Sequence, residues 1–168
     1  VFGRRFWRQA LLDLTDLPDA AAVFDRVLTR GLVHPVTDEG TGDHAFHHVL
    51  TRDVAYASLP IGERAARHAQ FAAWLDRTAP AGEGADTTVS LLAHHYERAV
   101  VLARSVDHTD PGLAGAAFEA LARAARDEAG RGGFFHADQW YRRARDLGTF
   151  DHERYLDVVV EHGQVLLE

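Results

Sequence analysis

The run Leu32-Val33-His34-Pro35-Val36, then Thr37-Asp38-Glu39-Gly40-Thr41-Gly42-Asp43, then His44-Ala45-Phe46-His47-His48, breaks the period of the chain. Two short extended segments flank seven residues rich in glycine and acids, which are turn formers, so residues 32–48 read as a hairpin or wing. On both sides of it the apolar residues recur at helical spacing.

Upstream, Phe6, Trp7, Ala10, Leu11 and Leu14 predict an amphipathic helix over 4–14, and the capping run Thr15-Asp16-Leu17-Pro18-Asp19 opens a second over 19–30 that stops at Gly31. Downstream, Val49, Val54 and Ala57 resume the helical period. It pauses at Pro60 and continues on one face through Ala65, His68, Ala72 and Leu75 to Pro80. Residues 79–86, Ala-Pro-Ala-Gly-Glu-Gly-Ala-Asp, are small or helix-breaking and mark a linker. Helices are then expected over 87–104, 112–129, 134–147 and 151–167. The fold class is mainly α: residues 1–80 form a helical domain with a β-hairpin wing, 81–86 a linker, and 87–168 antiparallel helix pairs.

Composition narrows the chemistry. In 168 residues with a net charge of −7, all eighteen basic residues are arginine, and Lys, Cys, Met and Asn are absent. Without Lys there is no Walker A loop and no Schiff base, and without Cys no thiol nucleophile, thiolate zinc site or disulfide. Ser58, Ser90 and Ser105 lack a glycine-flanked elbow, and the acids lie at the spacing of solvated helix faces, so no catalytic residue is assigned. His34, His44, His47 and His48 with Asp38 or Asp43 raise a metal site. Strand alternation sends His47 and His48 to opposite faces, and none is assigned. The helix over 19–30 carries Asp19 and Asp25 against Arg26 and Arg30, too little charge for counterion release, so DNA contact is not expected. No run is long and apolar enough for a membrane span. Trp7, Trp74 and Trp140 are read as packing residues. A start at Val1 with no Met anywhere, and an end in helical pattern at Val165-Leu166-Leu167-Glu168, suggest a segment of a longer protein.

Two resemblances add to this reading. Leu121, Ala124, Ala125, Gly132, Phe134, Ala137, Tyr141 and Ala144 fit one tetratricopeptide unit, with small residues where helices approach and aromatics between repeats. Glu128 and Thr149 depart from that pattern, and a second unit opens at Asp151. The order Val1-Phe2-Gly3-Arg4-Arg5-Phe6, Leu28-x-x-Gly31-Leu32, Phe46-x-His48-x-Leu50-x-Arg52-Asp53-Val54-Ala55-Tyr56-x-x-Leu59, Arg64-x-x-x-His68-x-x-x-Ala72-x-x-Leu75 and Leu92-Ala93-His94-His95-Tyr96-Glu97-Arg98-Ala99 resembles the segment that follows the nucleotide-binding core of STAND or AAA-type signalling ATPases. These are fused to adenylate cyclases or to LuxR-type and other transcription-activator domains. The stretch from Val100 to Pro111 is longer than that family has.

The resemblance implies a winged-helix-like arm followed by tetratricopeptide-like helices, in a cytoplasmic, non-catalytic regulatory module. Its partners are the upstream nucleotide-binding domain and the downstream repeats of the same chain, with a protein or peptide as a further partner. ATP or ADP and Mg belong to the upstream domain, and this chain holds no cofactor. The relay candidates are His48, Arg52, Asp53, Tyr56, His68, His95 and Tyr96. His48, His68 and His95 are expected as interior histidines, Arg52-Asp53 as a structural ion pair or cap, and His95 with Tyr96 at the contact between arm and repeats. The alternative is a free-standing helical-repeat scaffold that binds a peptide or protein.

Overall fold

A computed structural model describes residues 3–37, 42–78, 85–108, 110–148 and 152–168. Among these, eight helices and a three-stranded antiparallel sheet occur in the order β1 (Arg5–Phe6), α1 (Arg8–Asp13), α2 (Ala20–Thr29), β2 (Val33–Pro35), β3 (His44–Phe46), α3 (Val49–Ala57), α4 (Ile61–Thr78), α5 (Ala85–Arg104), α6 (Pro111–Gly130), α7 (Phe134–Asp146) and α8 (His152–Val165). No helix among the described residues is long and apolar enough to cross a membrane.

The hairpin stands where the period breaks, with Val33 opposite Phe46 and Pro35 opposite His44. The turn formers 38–41 lie outside the described residues. The helix expected over 4–14 is corrected at its start. Arg5 and Phe6 pair with Ala45 and His44 of β3, giving the sheet order β1-β3-β2 and covering an edge that the hairpin alone would leave open. Helix α1 begins two residues later because the Asp43 carboxylate accepts from the Arg8 amide at 2.7 Å. Gly42 lies beside this turn at φ of 100°, and a Cβ there would sit 2.6 Å from the Phe6 amide nitrogen, so the close approach of the strands requires glycine. Asp19, expected as a cap for α2, is itself left-handed and makes no side-chain cap bond. Phe6, Phe24 and Val33 form a small core under the sheet.

From α4 onward each helix runs against the next. Ala65, early in α4, packs on Leu102 and Ala103, late in α5, which makes the pair antiparallel. Alternate helices are tied by charge: Arg123 to Asp76 (α6 to α4), Arg143 to Glu97 (α7 to α5), and Arg126 to Glu161 with Arg154 to Glu119 (α6 to α8). Helix α6 starts with Pro111 in its first turn and with Asp110 accepting from the Gly112 and Leu113 amides. Its alanines 114, 117, 120, 122, 124 and 125 are buried, which lets α5 and α7 approach closely. The expected linker overlaps α5 at Ala85 and Asp86, and residues 81–84 lie outside the described ones. One continuous core runs from Ala10, Phe71, Trp74 and Leu75 through Leu92, Ala93 and Leu121 to Tyr141 and Val158.

Candidate functional site

Among the described elements, helix α3 stands out by its exposure. It buries no residue, and Val49, Leu50 and Val54 lie 53%, 72% and 70% exposed. Its anchor is Tyr56, whose hydroxyl lies 3.1 Å from His68 Nε2, while His68 Nδ1 lies 2.8 Å from His95 Nδ1. These two bonds link α3, α4 and α5 in series. The Tyr56 ring is flanked by two guanidinium groups, Arg64 at 5.0 Å and Arg52 at 5.3 Å from its centroid. Arg64 also donates from Nε to the Leu59 carbonyl and from Nη2 to the Ala57 carbonyl, satisfying acceptors at the end of α3.

Both histidines are buried, and His95 also packs edge-on against Phe71 with ring centroids 4.7 Å apart. Burial drives their pKa values down, to about 3 for His68 and about 2 for His95, with neighbouring positive charge adding to the effect. Two neutral imidazoles joined through Nδ1 require one to donate and the other to accept, so their tautomers are opposite. The wire therefore has two proton orders: Tyr56 donates inward to His68, or His68 donates outward to Tyr56.

The structure brings Tyr56, His68 and His95 together, with Arg52 against the Tyr56 ring, and separates His48 and Tyr96 from them. His48, expected inside, is exposed at the N-cap of α3 and makes no side-chain cap bond. Its place is correct for starting the helix, but its ring lies at the surface, 6.2 Å from the His47 ring. Arg52 and Asp53 do form an ion pair, at 2.7 Å, but it joins neighbours on α3 and anchors the helix to no other element. Tyr96 is half-buried on another face of α5, beside Asp76 and Arg123 in a groove between α4, α5 and α6, so only His95 of that pair sits at the junction.

Sequence reasoning missed several polar contacts. Glu97 is no free surface acid: Arg143 Nε donates to its Oε1 at 2.9 Å and Arg143 Nη2 to its Oε2, with that guanidinium 4.1 Å from the Trp140 ring centroid. His162 is buried, bonded through Nε2 to Asp138 at 2.7 Å, and stacks on Tyr141, whose hydroxyl donates to Glu161 at 3.1 Å. The bond from His162, followed by that from Arg142, holds the Asp138 carboxyl below its usual range. Burial, followed by the charge of Glu161, pushes the Tyr141 phenol up to about 12. Trp74 donates to Asp13 at 2.9 Å and Arg67 to the Leu14 carbonyl at 2.9 Å, fastening α1 to α4. Apart from Arg142 on Asp138, four residues apart on α7, these partners lie at least 20 residues apart, and no local period signals them.

As for chemistry, Ser58 and Ser105 donate to carbonyls of their own helices. His34 and His47 approach with ring centroids 4.5 Å apart, yet no group of three His, Asp or Glu among the described residues is placed to hold a metal ion. Comparison of the chain with protein families, with curated proteins and with solved structures finds no match.

Proposed function

We propose that this chain is a non-catalytic regulatory and protein-interaction module of a multi-domain signalling ATPase. In this reading residues 1–80, the sheet with α1 to α4, are a winged-helix-like arm, α5 to α8 are tetratricopeptide-like pairs, and the junction passes nucleotide or partner state toward an output domain such as a cyclase or a transcription-activator domain. The observation that carries it is the Tyr56–His68–His95 series. It fixes an otherwise exposed helix to a rigid stack through two polar bonds whose proton order has two settings.

Further support comes from the spacing of contacts in the stack. Arg126 to Glu161 and Glu119 to Arg154 both join residues 35 apart on α6 and α8, close to the roughly 34-residue period of tetratricopeptide units. Leu121, Ala124, Ala125, Ala137, Tyr141 and Ala144 are all buried, as packing inside and between such units needs. Leu156 and Val160 leave an apolar stripe exposed on α8, which suits downstream repeats of the same chain.

The test uses the longer protein. His68→Leu should change nucleotide-dependent output while leaving nucleotide affinity unchanged, and the isolated chain should neither bind nor hydrolyse ATP. A parent sequence with no Walker A and B pair upstream of Val1, or ATP turnover by the isolated chain, contradicts the reading.

A further inference from the structure

Beside the junction, a cavity of about 250 Å³ is lined by Gly3, Arg4, Arg5, Trp7, Phe71, Leu91 and His95. Its walls are mainly apolar and include the Trp7 ring and the edge of the buried Phe71 ring, with centroids 6.1 Å apart. Arginine stands at the strand side. His95 is 3% exposed and spends Nδ1 on His68, while its Nε2 has no hydrogen-bond partner among the described residues. A buried imidazole with one nitrogen unused, on the wall of a cavity that Arg4 also lines, is the composition of a ligand site: apolar walls for the body, a few polar groups for orientation.

The geometry points to a binding site for a small organic anion with a flat apolar body and one carboxylate, held by Trp7, Phe71 and Leu91 and oriented by His95 Nε2 and the Arg4 guanidinium. The volume limits the occupant to about the size of a substituted benzoate, since drug-sized pockets start near 300 Å³.

Binding there sets the proton order of the wire. A carboxylate has no proton to give, so His95 must donate from Nε2–H and keep a bare Nδ1. That nitrogen then accepts from His68 Nδ1–H, which leaves His68 Nε2 bare, and Tyr56 donates its hydroxyl proton inward. No proton is gained or lost; each shifts its bonding partner. In the opposite order His95 Nε2 is bare and faces the cavity as an acceptor, and a carboxylate there is repelled. The ligand thus selects one of two settings, and the selection reaches α3 at Tyr56. The site belongs to this chain alone and does not depend on the parent proposed above.

The experiment titrates the whole chain with benzoate, with benzamide as the uncharged isostere and with inorganic phosphate. It follows the imidazole nitrogens of His95 and the hydroxyl-bearing carbon of Tyr56 by NMR. Benzoate should bind saturably, with a Kd on the order of 1 mM as befits a ligand of its size. Benzamide should bind at least about tenfold more weakly, as should benzoate to Arg4→Ala or His95→Phe, since each loses one charge-assisted bond. Leu91→Trp fills the cavity from the turn of α5 before His95 and should abolish binding. Tyr56 should shift on saturation in wild type and stay still in His68→Leu. Benzamide binding as tightly as benzoate, benzoate binding unaffected by Leu91→Trp, phosphate competing equally, or no saturable binding overturns the site. Saturation with an unmoved Tyr56 overturns the coupling. The benzamide and Leu91→Trp arms decide the site even where His95 or His68 variants fail to fold.

Discussion

Between α5 and α8 the contact positions carry buried alanines and a few fully buried large side chains, whereas α3 at the other end buries no residue. The stack closes its helices on small residues and locks alternate helices with Arg–Asp and Arg–Glu pairs. The sheet-bearing part holds a small core of Phe6, Phe24 and Val33 among the described residues. Close packing resists change because every displaced atom loses contacts, while an element with little buried area opens at low cost. The function proposed above builds on this contrast, with the stack as its fixed frame and α3 as the element held to it by the Tyr56–His68–His95 series and by Arg64.

The largest effect that sharpens this contrast is removal of a stack aromatic. Tyr141 is 2% exposed and bonded to Glu161, so Tyr141→Ala should cost about 3–5 kcal/mol in urea unfolding, whereas Val54→Ala on α3 should change stability by less than about 0.5 kcal/mol. Comparable losses would erase the distinction between frame and arm. Next in size is Gly42→Ala. The strained φ and the clash with Phe6 should cost about 1–3 kcal/mol, seen as faster amide exchange in β1 and β3 with α6 to α8 unchanged.

Acid should act on the junction. The folded-state pKa values of both histidines lie below the unfolded value of 6.5, so the unfolded chain binds more protons. The stabilising difference is whole above pH 6.5 and lost progressively as pH falls toward 3 and 2. The direction follows from the linkage between proton binding and folding. In His68→Leu/His95→Leu the loss of stability between pH 7 and 4 should be smaller than in wild type, and an identical loss would place the acid sensitivity elsewhere. The smallest effect compares neighbours on α5. Tyr96 is only half-buried and Glu97 is paired with Arg143, so Tyr96→Ala and Glu97→Ala should differ by less than Tyr141→Ala differs from wild type.

What was legible in the sequence follows from how local each signal is. The boundaries of α3 and α6 to α8 could be read closely, because alanine and aromatic residues repeat at helical spacing there and Asp110-Pro111 and Gly130 to Gly133 punctuate them. The hairpin showed as a change of period with turn formers. Strand β1 could not be read that way, since two residues have no period and Phe6 fits a helical face equally well; only its partner in β3 makes it extended. His68 and His95 sat on apolar faces and were found inside, whereas His48 followed the same motif into solvent, at the N-cap where the chain turns from β3 into α3. Glu97, Glu161 and Asp138 looked like solvated surface acids, and their arginine and histidine partners come from helices placed by tertiary packing.

The most direct test of the central claim, that α3 is coupled to the stack through the histidine pair, is a double-mutant cycle of Tyr56→Phe and His95→Phe read by amide exchange in α3. Coupling predicts a non-additive term of about 0.5–3 kcal/mol, because the two side chains share His68 as a partner without touching each other. Additive effects within about 0.3 kcal/mol would mean that Tyr56 and His95 act independently, and that α3 is not held through this series.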